Sequence, residues 1–149
     1  MLYSKKDCPR VAAIQMVSTP SFEDNWSIIR ELTVSARKQG ADIVIWPENF
    51  LAYGKSQNFS LQRQQDTLDA ISSLSKSLKL WIVAGTLPLQ IDLGEKVSKE
   101  RNIAKPRATT VVFDFHGSIH VEYSKIYLFD ATVGETGSIY RESDDYLHG

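Results

Sequence analysis

The most constraining feature of the sequence is a short apolar run that ends in proline and a carboxylate. Residues Ile43 to Trp46 are β-branched or aromatic with no polar residue among them, and Pro47-Glu48 follows directly. An uninterrupted run of this kind is typical of a parallel strand that is covered on both faces. Proline cannot donate to a ladder, so strand pairing should stop there. The run predicts a buried strand from Asp42 to Trp46, with Glu48 just beyond its carboxyl end.

This position makes Glu48 a candidate functional residue. Open α/β sheets bind their ligands beyond the carboxyl ends of the strands. A carboxylate beside Trp46, Pro47 and Phe50 would be partly desolvated, which suits a general base. The alternative is a solvated glutamate or a loop cap after a strand, since glutamate most often lies at the surface.

The segment before this run predicts a strand and an amphipathic helix. The strand extends from Val11 to Val17, and Ser21 to Asp24 then resembles a capping box. The helix ends with Arg37-Lys38 and Gly40, a common C-terminal signature. Its predicted inward stripe follows the helical repeat and consists of Phe22, Trp26, Ile29, Leu32 and Ala36.

The segment after Phe50 continues the alternation of strands and helices. A polar loop, Ala52 to Ser60, precedes a second helix, and Leu80 to Gly85 predicts a third strand. Gly85-Thr86 at its end is most simply a turn, and the alternative is that it brings backbone close to a site. The predicted inward face of the second helix consists of Leu61, Leu68, Ile71, Leu74 and Leu78. The βαβαβ alternation favours an α/β fold with a parallel sheet.

A hairpin and a lysine follow. The strand-like runs Thr109 to Phe115 and Ser118 to Tyr123 flank a His-Gly turn signal, after a charged connection from Asp92 to Arg107. In the second run Ile119, Val121 and Tyr123 share one face, and Lys125 falls on the same parity. If the register persists, the ammonium points inward and needs a carboxylate partner. If the strand ends at Tyr123 instead, Lys125 reaches solvent.

Composition narrows the classes of partner. The chain of 149 residues is 42% hydrophobic and carries 17 basic and 18 acidic residues, enough for one domain, residues 1–149. This balance gives no electrostatic case for nucleic acid or an anionic membrane surface. Residues 1–7 contain no apolar stretch of the kind a secretory leader has, and no run approaches the roughly 20 apolar residues of a membrane span. A small molecule or another protein is the expected partner.

Cysteine and histidine usage points the same way. Cys8 is the single cysteine, which excludes an internal disulfide and favours a reducing cytoplasm. The three histidines lack any metal-ligand spacing, so no metal site is expected. No glycine-rich phosphate-binding motif follows any predicted strand, which argues against a nucleotide-binding α/β domain.

Several motifs, taken together and in order, resemble the carbon–nitrogen hydrolase (nitrilase) superfamily. They are Trp46-Pro47-Glu48-Asn49-Phe50, the helix after it, the Gly85-Thr86 strand end, the run Tyr123 to Asp130, and Tyr140-Arg141-Glu142-Ser143. The similarity extends from about Arg10 to the end of the chain. It implies half of an α-β-β-α sandwich, a mixed sheet with two covering helices and a C-terminal hairpin.

The resemblance also implies a mechanism and a substrate class. The family uses a Cys nucleophile, a Glu base and a Lys on amides, nitriles or carbamoyl compounds, with no metal or organic cofactor. By position Glu48 would be the base, Lys125 would stabilise the oxyanion, and Glu142 would be a second carboxylate that holds Lys125. This set is chemically coherent, because a base activates the thiol and a fixed cation offsets the charge that develops on the substrate.

The chain departs from the family pattern at the nucleophile. The family's cysteine lies downstream of the segment that matches Tyr140 to Ser143, and this chain ends at Gly149. Cys8 is no substitute, because parallel strands would put it roughly 20 Å from Glu48, at the opposite end of the sheet. Tyr127 also stands where many relatives have His, and Pro106-Arg107-Ala108 lacks an Asn that many relatives carry. We therefore expect a truncated N-terminal half that is inactive alone.

A missing second sheet would leave one apolar face uncovered. The chain should then be poorly soluble, form a homodimer, or pair with a separately encoded C-terminal half. The alternative is a non-catalytic binding or dimerisation module that kept the fold and lost the reaction. Such a module should be a stable homodimer, whereas a bare truncation should aggregate.

Overall fold

The computed structural model describes residues 8–51, 53, 61–90, 105–133 and 138–149. Two helices, seven strands and one short 3₁₀ helix lie in this part of the chain. In order they are β1 (Val11–Ala13), α1 (Phe22–Lys38), β2 (Ile43–Ile45), α2 (Leu61–Leu78), β3 (Trp81–Leu89), β4 (Arg107–Phe113), β5 (Ile119–Ser124), β6 (Asp130–Val133), β7 (Ser138–Arg141) and the 3₁₀ helix Glu142–Asp144.

The first five strands form one mixed sheet in the order β1-β2-β3-β4-β5. Strands β1, β2 and β3 are mutually parallel, and β4 is antiparallel to both β3 and β5. This confirms the predicted α/β fold with its mixed sheet, two helices and β4–β5 hairpin. Because β5 is antiparallel to β4, it points the same way as β2. The carboxyl ends of β2 and β5 therefore lie at the same edge of the sheet.

Both helices pack against one face of this sheet. Their buried residues Ile29, Ala36, Ile71 and Leu74 join a single apolar cluster with the strands. The strand residues of that cluster alternate along each strand, as a half-buried sheet requires, and include Val44, Ile82, Ala84, Val111 and Phe113.

The opposite face of the sheet carries an apolar row that crosses all five strands. Direct pairing links Ala13, Ile45, Val83, Val112 and Val121 in turn. Ile45 is 40% exposed and Val121 is 51% exposed. The prediction that β2 is covered on both faces is therefore wrong for the described residues, which form two layers. We call this surface the free sheet face.

Helix α1 begins with half of the predicted capping box. The Ser21 hydroxyl accepts a hydrogen bond from the Asp24 backbone N–H at 3.2 Å, while the Ser21 N–H donates to the Thr19 hydroxyl. The helix ends before Gly40, whose φ of 87° lies in the left-handed region that glycine tolerates. The predicted ends of this helix are confirmed.

The buried stripe of α1 is rotated from the predicted one. Its buried residues are Asn25, Ile29, Thr33 and Ala36, whereas Phe22 and Trp26 are only partly buried. Two polar residues occupy the centre of the stripe, and a pattern based on apolar residues alone cannot find them. Buried polar side chains are tolerated where they are hydrogen-bonded, as both of these are.

Several strand bounds differ from those predicted. Strand β1 stops at Ala13 rather than Val17, because its partner β2 stops at Ile45, and Val17 is 82% exposed. Strand β3 continues past Gly85 to Leu89, so the turn interpretation of Gly85-Thr86 is wrong. Strand β4 extends from Arg107 to Phe113, whereas the sequence predicts it from Thr109 to Phe115.

Two predicted connections lie mostly outside the described residues. They are the polar loop from Ala52 to Ser60, of which only Tyr53 is described, and the charged connection after Asp92, of which only residues 105–107 are described. The hairpin turn itself is described. Asp114 Oδ1 accepts hydrogen bonds from the backbone N–H groups of His116 and Ser118 at 2.8 and 2.9 Å, and Gly117 has φ of 86°.

The ribbon of β6 and β7 was not predicted. Asp130 pairs with Arg141 and Val133 with Ser138 in antiparallel register. The sequence does carry a signal, since Ala-Thr-Val and Ser-Ile-Tyr flank a Gly-Glu-Thr-Gly stretch at 134–137. Among the described residues, neither helix is long and apolar enough to cross a bilayer.

Candidate active site

Glu48 is carried by the segment Trp46–Leu51, which follows β2. The rings of Trp46 and Phe50 are buried in the core, at 2% and 0% exposure, so Glu48 between them is directed away from it. The segment lies against β3, where the Asn49 N–H donates to the Thr86 hydroxyl at 3.4 Å. Asn49 has φ of 55°, a left-handed conformation that asparagine tolerates better than most residues.

Gly85 allows this segment to approach β3. A Cβ atom at Gly85 would lie 2.7 Å from the Trp46 carbonyl oxygen and closer still to the Pro47 carbonyl. The β3–β4 register shifts between Ala84 and Leu87, at this same point. The interpretation of Gly85 as a close-approach residue is therefore confirmed, and Gly85 helps to place Glu48.

Lys125 follows β5 and keeps the strand register for one more residue. Its backbone N–H donates to the Ala108 carbonyl at 2.8 Å, continuing the ladder with β4. The side chain keeps the parity of Val121 and Tyr123, while a register shift pairs Ile119 with Phe113 and takes it off that face. The shared face predicted for Ile119 is therefore wrong, because a bulge intervenes.

The Lys125 ammonium lies between two carboxylates. Its Nζ is 2.9 Å from Glu48 Oε1, across 77 residues of sequence. It is also 2.9 Å from Glu142 Oε2 and 3.2 Å from Glu142 Oε1. The Lys125 side chain is 26% exposed, so the interpretation that it simply reaches solvent is wrong. The structure brings all three candidate residues together, and their catalytic roles stay predictions.

Glu142 is the more firmly held of the two carboxylates. It lies where β7 passes into the 3₁₀ helix, and its side chain is 10% exposed. The Phe129 N–H donates to Glu142 Oε2 at 2.6 Å, and the Glu142 N–H donates back to the Phe129 carbonyl at 3.1 Å. Asp130 accepts from both the N–H and the hydroxyl of Ser143, which fixes the start of the 3₁₀ helix.

Glu48 is more exposed than its sequence context suggests. Its side chain is 53% exposed, so the predicted shielding by its neighbours is limited and more than half of the side chain stays open to solvent. The physical reason is that Trp46 and Phe50 turn into the core instead of covering the carboxylate. One Glu48 oxygen is bound to Lys125, and the exposed remainder of the carboxylate is accessible from the outside.

The electrostatics of the cluster favour a permanently charged lysine. Desolvation by burial lowers the pKa of Lys125, but the hydrogen bonds and negative charges of Glu48 and Glu142 outweigh it, and the pKa lies above its ordinary value. Burial raises the pKa of the Tyr146 phenol, and the nearby carboxylates of Glu142 and Asp145 raise it further. Lys125 and Tyr146 therefore both keep their protons at neutral pH.

The remaining candidates lie away from this cluster. Cys8 is exposed and precedes β1, whose parallel pairing with β2 puts it at the opposite end of the sheet from Glu48. Tyr127 is 87% exposed. Within the described ranges, no group of three His, Cys, Asp or Glu side chains is arranged to hold a metal ion.

This arrangement can perform two chemical tasks. A cation that is fixed by two carboxylates can stabilise negative charge developing on a bound substrate. An accessible carboxylate beside it can accept a proton from a nucleophile. A fixed cation and an adjacent base are the protein groups that acyl transfer from an amide or a nitrile requires besides the nucleophile.

Comparison with known proteins identifies the family. The family model for carbon–nitrogen hydrolases matches residues 10–146, and the chain therefore belongs to the carbon–nitrogen hydrolase family. It is 26% identical over 145 residues to the hydrolase C26A3.11 of Schizosaccharomyces pombe, covering 94% of this chain and 41% of that protein. It is 30% identical over 144 residues to a deaminated glutathione amidase of Synechocystis, covering 93% and 48%.

Solved structures of the nitrilase superfamily share the fold. The C. elegans NitFhit protein superposes with a TM-score of 0.73 at 23% identity, over 93% of this chain and 32% of that chain. An amidase mutant from Nesterenkonia sp. AN1, solved in complex with butyramide, gives a TM-score of 0.72 at 20% identity, over 95% and 48%. The chain thus spans about half the length, or less, of the relatives that it matches.

Proposed function

We propose that this chain is the base- and lysine-bearing part of an amidase-type carbon–nitrogen hydrolase. One observation carries the proposal. Lys125 Nζ lies 2.9 Å from Glu48 Oε1 and 2.9 Å from Glu142 Oε2, and the three residues come from three different parts of the fold. Family membership supports the reaction class. The nucleophilic cysteine would come from residues that this sequence does not contain, and the chain would be inactive alone.

In this proposal each residue of the cluster has a separate task. Glu48 removes the proton of the cysteine thiol, and the thiolate attacks the carbonyl carbon of an amide. Lys125 stabilises the negative charge on the substrate heteroatom, and Glu142 holds Lys125 in place. Glu48 returns its proton to the leaving ammonia of an amide, and water then hydrolyses the thioester. No metal or organic cofactor takes part.

The substrate class follows from relatives rather than from the described residues. Relatives carry the names deaminated glutathione amidase and omega-amidase. A mutant of the Nesterenkonia amidase shows covalent addition of an acetamide moiety at its active-site cysteine. These names support a small amide as the substrate of the whole protein.

The test compares the 149-residue chain with the polypeptide extended by the sequence that follows it in the gene. We expect the chain alone to release no ammonia from butyramide and the extended polypeptide to do so. Glu48→Gln and Lys125→Met should each lower kcat of the extended polypeptide by about 10²-fold or more. Glu23→Gln, an exposed carboxylate of α1, is the control and should leave kcat unchanged.

Two outcomes would contradict the proposal. Hydrolysis by the chain alone that persists in Cys8→Ala would show that the nucleophile chemistry is wrong. Full activity of Glu48→Gln in the extended polypeptide would remove the base from the mechanism.

We propose in addition that the free sheet face is an interface, since Ile45 and Val121 expose 40% and 51% of their surface there. A second sheet of the protein would cover this face, either from a C-terminal half or from a second copy in a homodimer. Size-exclusion chromatography with light scattering distinguishes the possibilities. A stable homodimer of the chain alone would favour the non-catalytic module, whereas aggregation that ends when the C-terminal part is added favours the hydrolase.

A further inference from the structure

Two buried polar side chains of α1 have no part in the proposed chemistry. Asn25 and Thr33 are both 0% exposed. They lie two turns apart on the face of the helix that packs against the sheet, where apolar residues would ordinarily be expected. A buried amide and a buried hydroxyl are costly unless their hydrogen bonds are satisfied, so their partners indicate what they do.

Thr33 binds the first residue of the Glu48 segment. The Trp46 indole N–H donates to the Thr33 hydroxyl at 2.9 Å, and that hydroxyl donates to the Ile29 carbonyl of its own helix at 2.7 Å. The hydroxyl is therefore fixed as an acceptor, and Trp46 is 2% exposed. The indole has one orientation in which its N–H is satisfied.

Asn25 binds the last residue of the same segment. Its Nδ2 donates to the Leu51 carbonyl at 2.9 Å and to the Thr19 carbonyl at 2.7 Å. Its Oδ1 accepts from the Thr19 N–H at 2.9 Å. Both amide donors and the acceptor are thus engaged, and the amide ties the loop after β1 to the segment after β2.

We propose that Asn25 and Thr33 are positioning residues for Glu48, because they hold the two ends of the segment Trp46–Leu51 on helix α1. The inference rests on the proposed function of Glu48 as the base. Strand β3 holds the backbone of the segment at Trp46 and touches its middle at Gly85 and Thr86, while α1 binds the Trp46 side chain and the Leu51 carbonyl. The Glu48 carboxylate then meets the Lys125 ammonium at 2.9 Å.

Directional bonds from side chains matter here because the segment leaves the β2–β3 ladder after its first residue, whose backbone N–H donates to the Val83 carbonyl at 2.9 Å. Apolar packing of Trp46 and Phe50 fixes the depth of the segment but specifies rotation only weakly, since the hydrophobic effect is not directional. Hydrogen bonds at both ends specify rotation. A rotation of the segment would move Glu48 off Lys125 even if both aromatic rings stayed buried.

The test uses the pKa of Lys125 as a readout of whether Glu48 stays next to it. This pKa is measured by an NMR titration of the Lys125 Cε atom in the 149-residue chain. Glu48→Gln sets the scale, because it removes one of the two carboxylates that raise this pKa. Thr33→Val removes the acceptor for Trp46 and keeps the shape of the side chain. We expect Thr33→Val to lower the pKa of Lys125 by at least half as much as Glu48→Gln, and Thr33→Ser to restore it.

The matched control is Thr67→Val in α2. Thr67 is 3% exposed and its hydroxyl also donates to a carbonyl of its own helix at 2.7 Å, that of Arg63. This variant should cost similar stability without changing the pKa of Lys125. Asn25→Ser, which acts on the other end of the segment, is the second variant and should lower the pKa of Lys125 as Thr33→Val does.

The outcomes separate this inference from the proposed function. An unchanged Lys125 pKa in folded Thr33→Val and Asn25→Ser, with a clear response to Glu48→Gln, would overturn the positioning role. An equal decrease of the Lys125 pKa in Thr67→Val would indicate a general effect of lost stability, and it would overturn the positioning role as well. A lack of hydrolysis by the extended polypeptide would count against the proposed function and leave these measurements as they are.

Discussion

The two carboxylates that flank Lys125 are held in unequal ways. Glu142 is 10% exposed and accepts from the Phe129 backbone as well as from Lys125. Glu48 is 53% exposed, and its carboxylate is bound to Lys125 through one oxygen. A carboxylate that is fixed on both oxygens suits orientation of a cation, whereas a more accessible one suits proton transfer. The difference in burial thus supports different roles for two chemically identical groups.

Glu142→Ala should destabilise the fold by about 1–3 kcal/mol, because the Phe129 N–H loses its acceptor and the Lys125 ammonium loses one of its two carboxylates. Urea unfolding measures this. Glu23→Ala is the control, since Glu23 is 73% exposed in its pair with Arg63 at 3.2 Å, and it should cost less than about 1 kcal/mol. Equal effects of the two variants would contradict the structural role of Glu142.

The raised pKa of Lys125 makes part of the stability dependent on pH. The folded state holds this proton more tightly than the unfolded state, so the contribution is fully present below the ordinary value of 10.5 and is lost as pH rises through the folded-state value. Unfolding free energies of the chain and of Lys125→Met should therefore converge as pH rises through this range. A difference between the two that stays constant across this range would contradict the contribution of the paired lysine.

At the scale of elements, the end of β2 depends on close contact with β3. Strand β2 has only the residues Ile43–Ile45, and the chain that follows it crosses β3 where the β3–β4 register shifts. Glycine at position 85 is required by space, because the carbonyls of Trp46 and Pro47 occupy the volume of a Cβ. The β3–β4 register shift and the missing side chain at Gly85 together let the backbone around Glu48 approach β3, and Glu48 then contacts Lys125.

Gly85→Ala should destabilise the chain by about 1–3 kcal/mol through overpacking against the backbone of Trp46 and Pro47. It should also lower the pKa of Lys125, because Glu48 moves with that backbone. Urea unfolding and the lysine NMR titration measure the two effects. Ala13→Ser, at an exposed strand position, should change stability by less than about 0.5 kcal/mol, and a Gly85→Ala chain with unchanged stability would contradict the close approach.

At the scale of the whole molecule, helices cover one face of the sheet and the described residues leave the other face free. The apolar row from Ala13 to Val121 runs across that face. Contiguous exposed apolar surface of this kind marks an interface or a tendency to aggregate. Lys125 lies on the same face by parity, so whatever covers the sheet also borders the candidate site.

Val121→Lys should reduce self-association of the chain, because it places a charge at the β5 end of the exposed row. Light scattering over a concentration series measures this. Ile28→Lys is the matched control, since Ile28 is an exposed apolar residue of α1, at 38% exposure, and it should leave self-association unchanged. A similar decrease in both variants would indicate a general effect of charge and would argue against an interface on the free sheet face.

The sequence alone determined much of the local secondary structure and the position of one candidate site residue, Glu48. Apolar runs indicated strands β1 to β5, and helical spacing indicated α1 and α2, with end signals for α1, because these patterns depend on neighbours within a few residues. The position of Glu48 after β2 followed from Pro47 for the same reason. The pairing of Lys125 with Glu48 and Glu142 was suggested by family resemblance and not by spacing.

Only the tertiary structure decided which side chains meet. The bulge that turns Ile119 away from the face of Val121, the burial of Asn25 and Thr33, and the exposure of Glu48 all depend on contacts between distant segments. Sheet order brings the ends of β2 and β5 to one edge, and strand direction then places an ammonium and a carboxylate 77 residues apart within 2.9 Å. Such contacts form only on folding, because the partners that a strand then acquires fix the direction of its side chains.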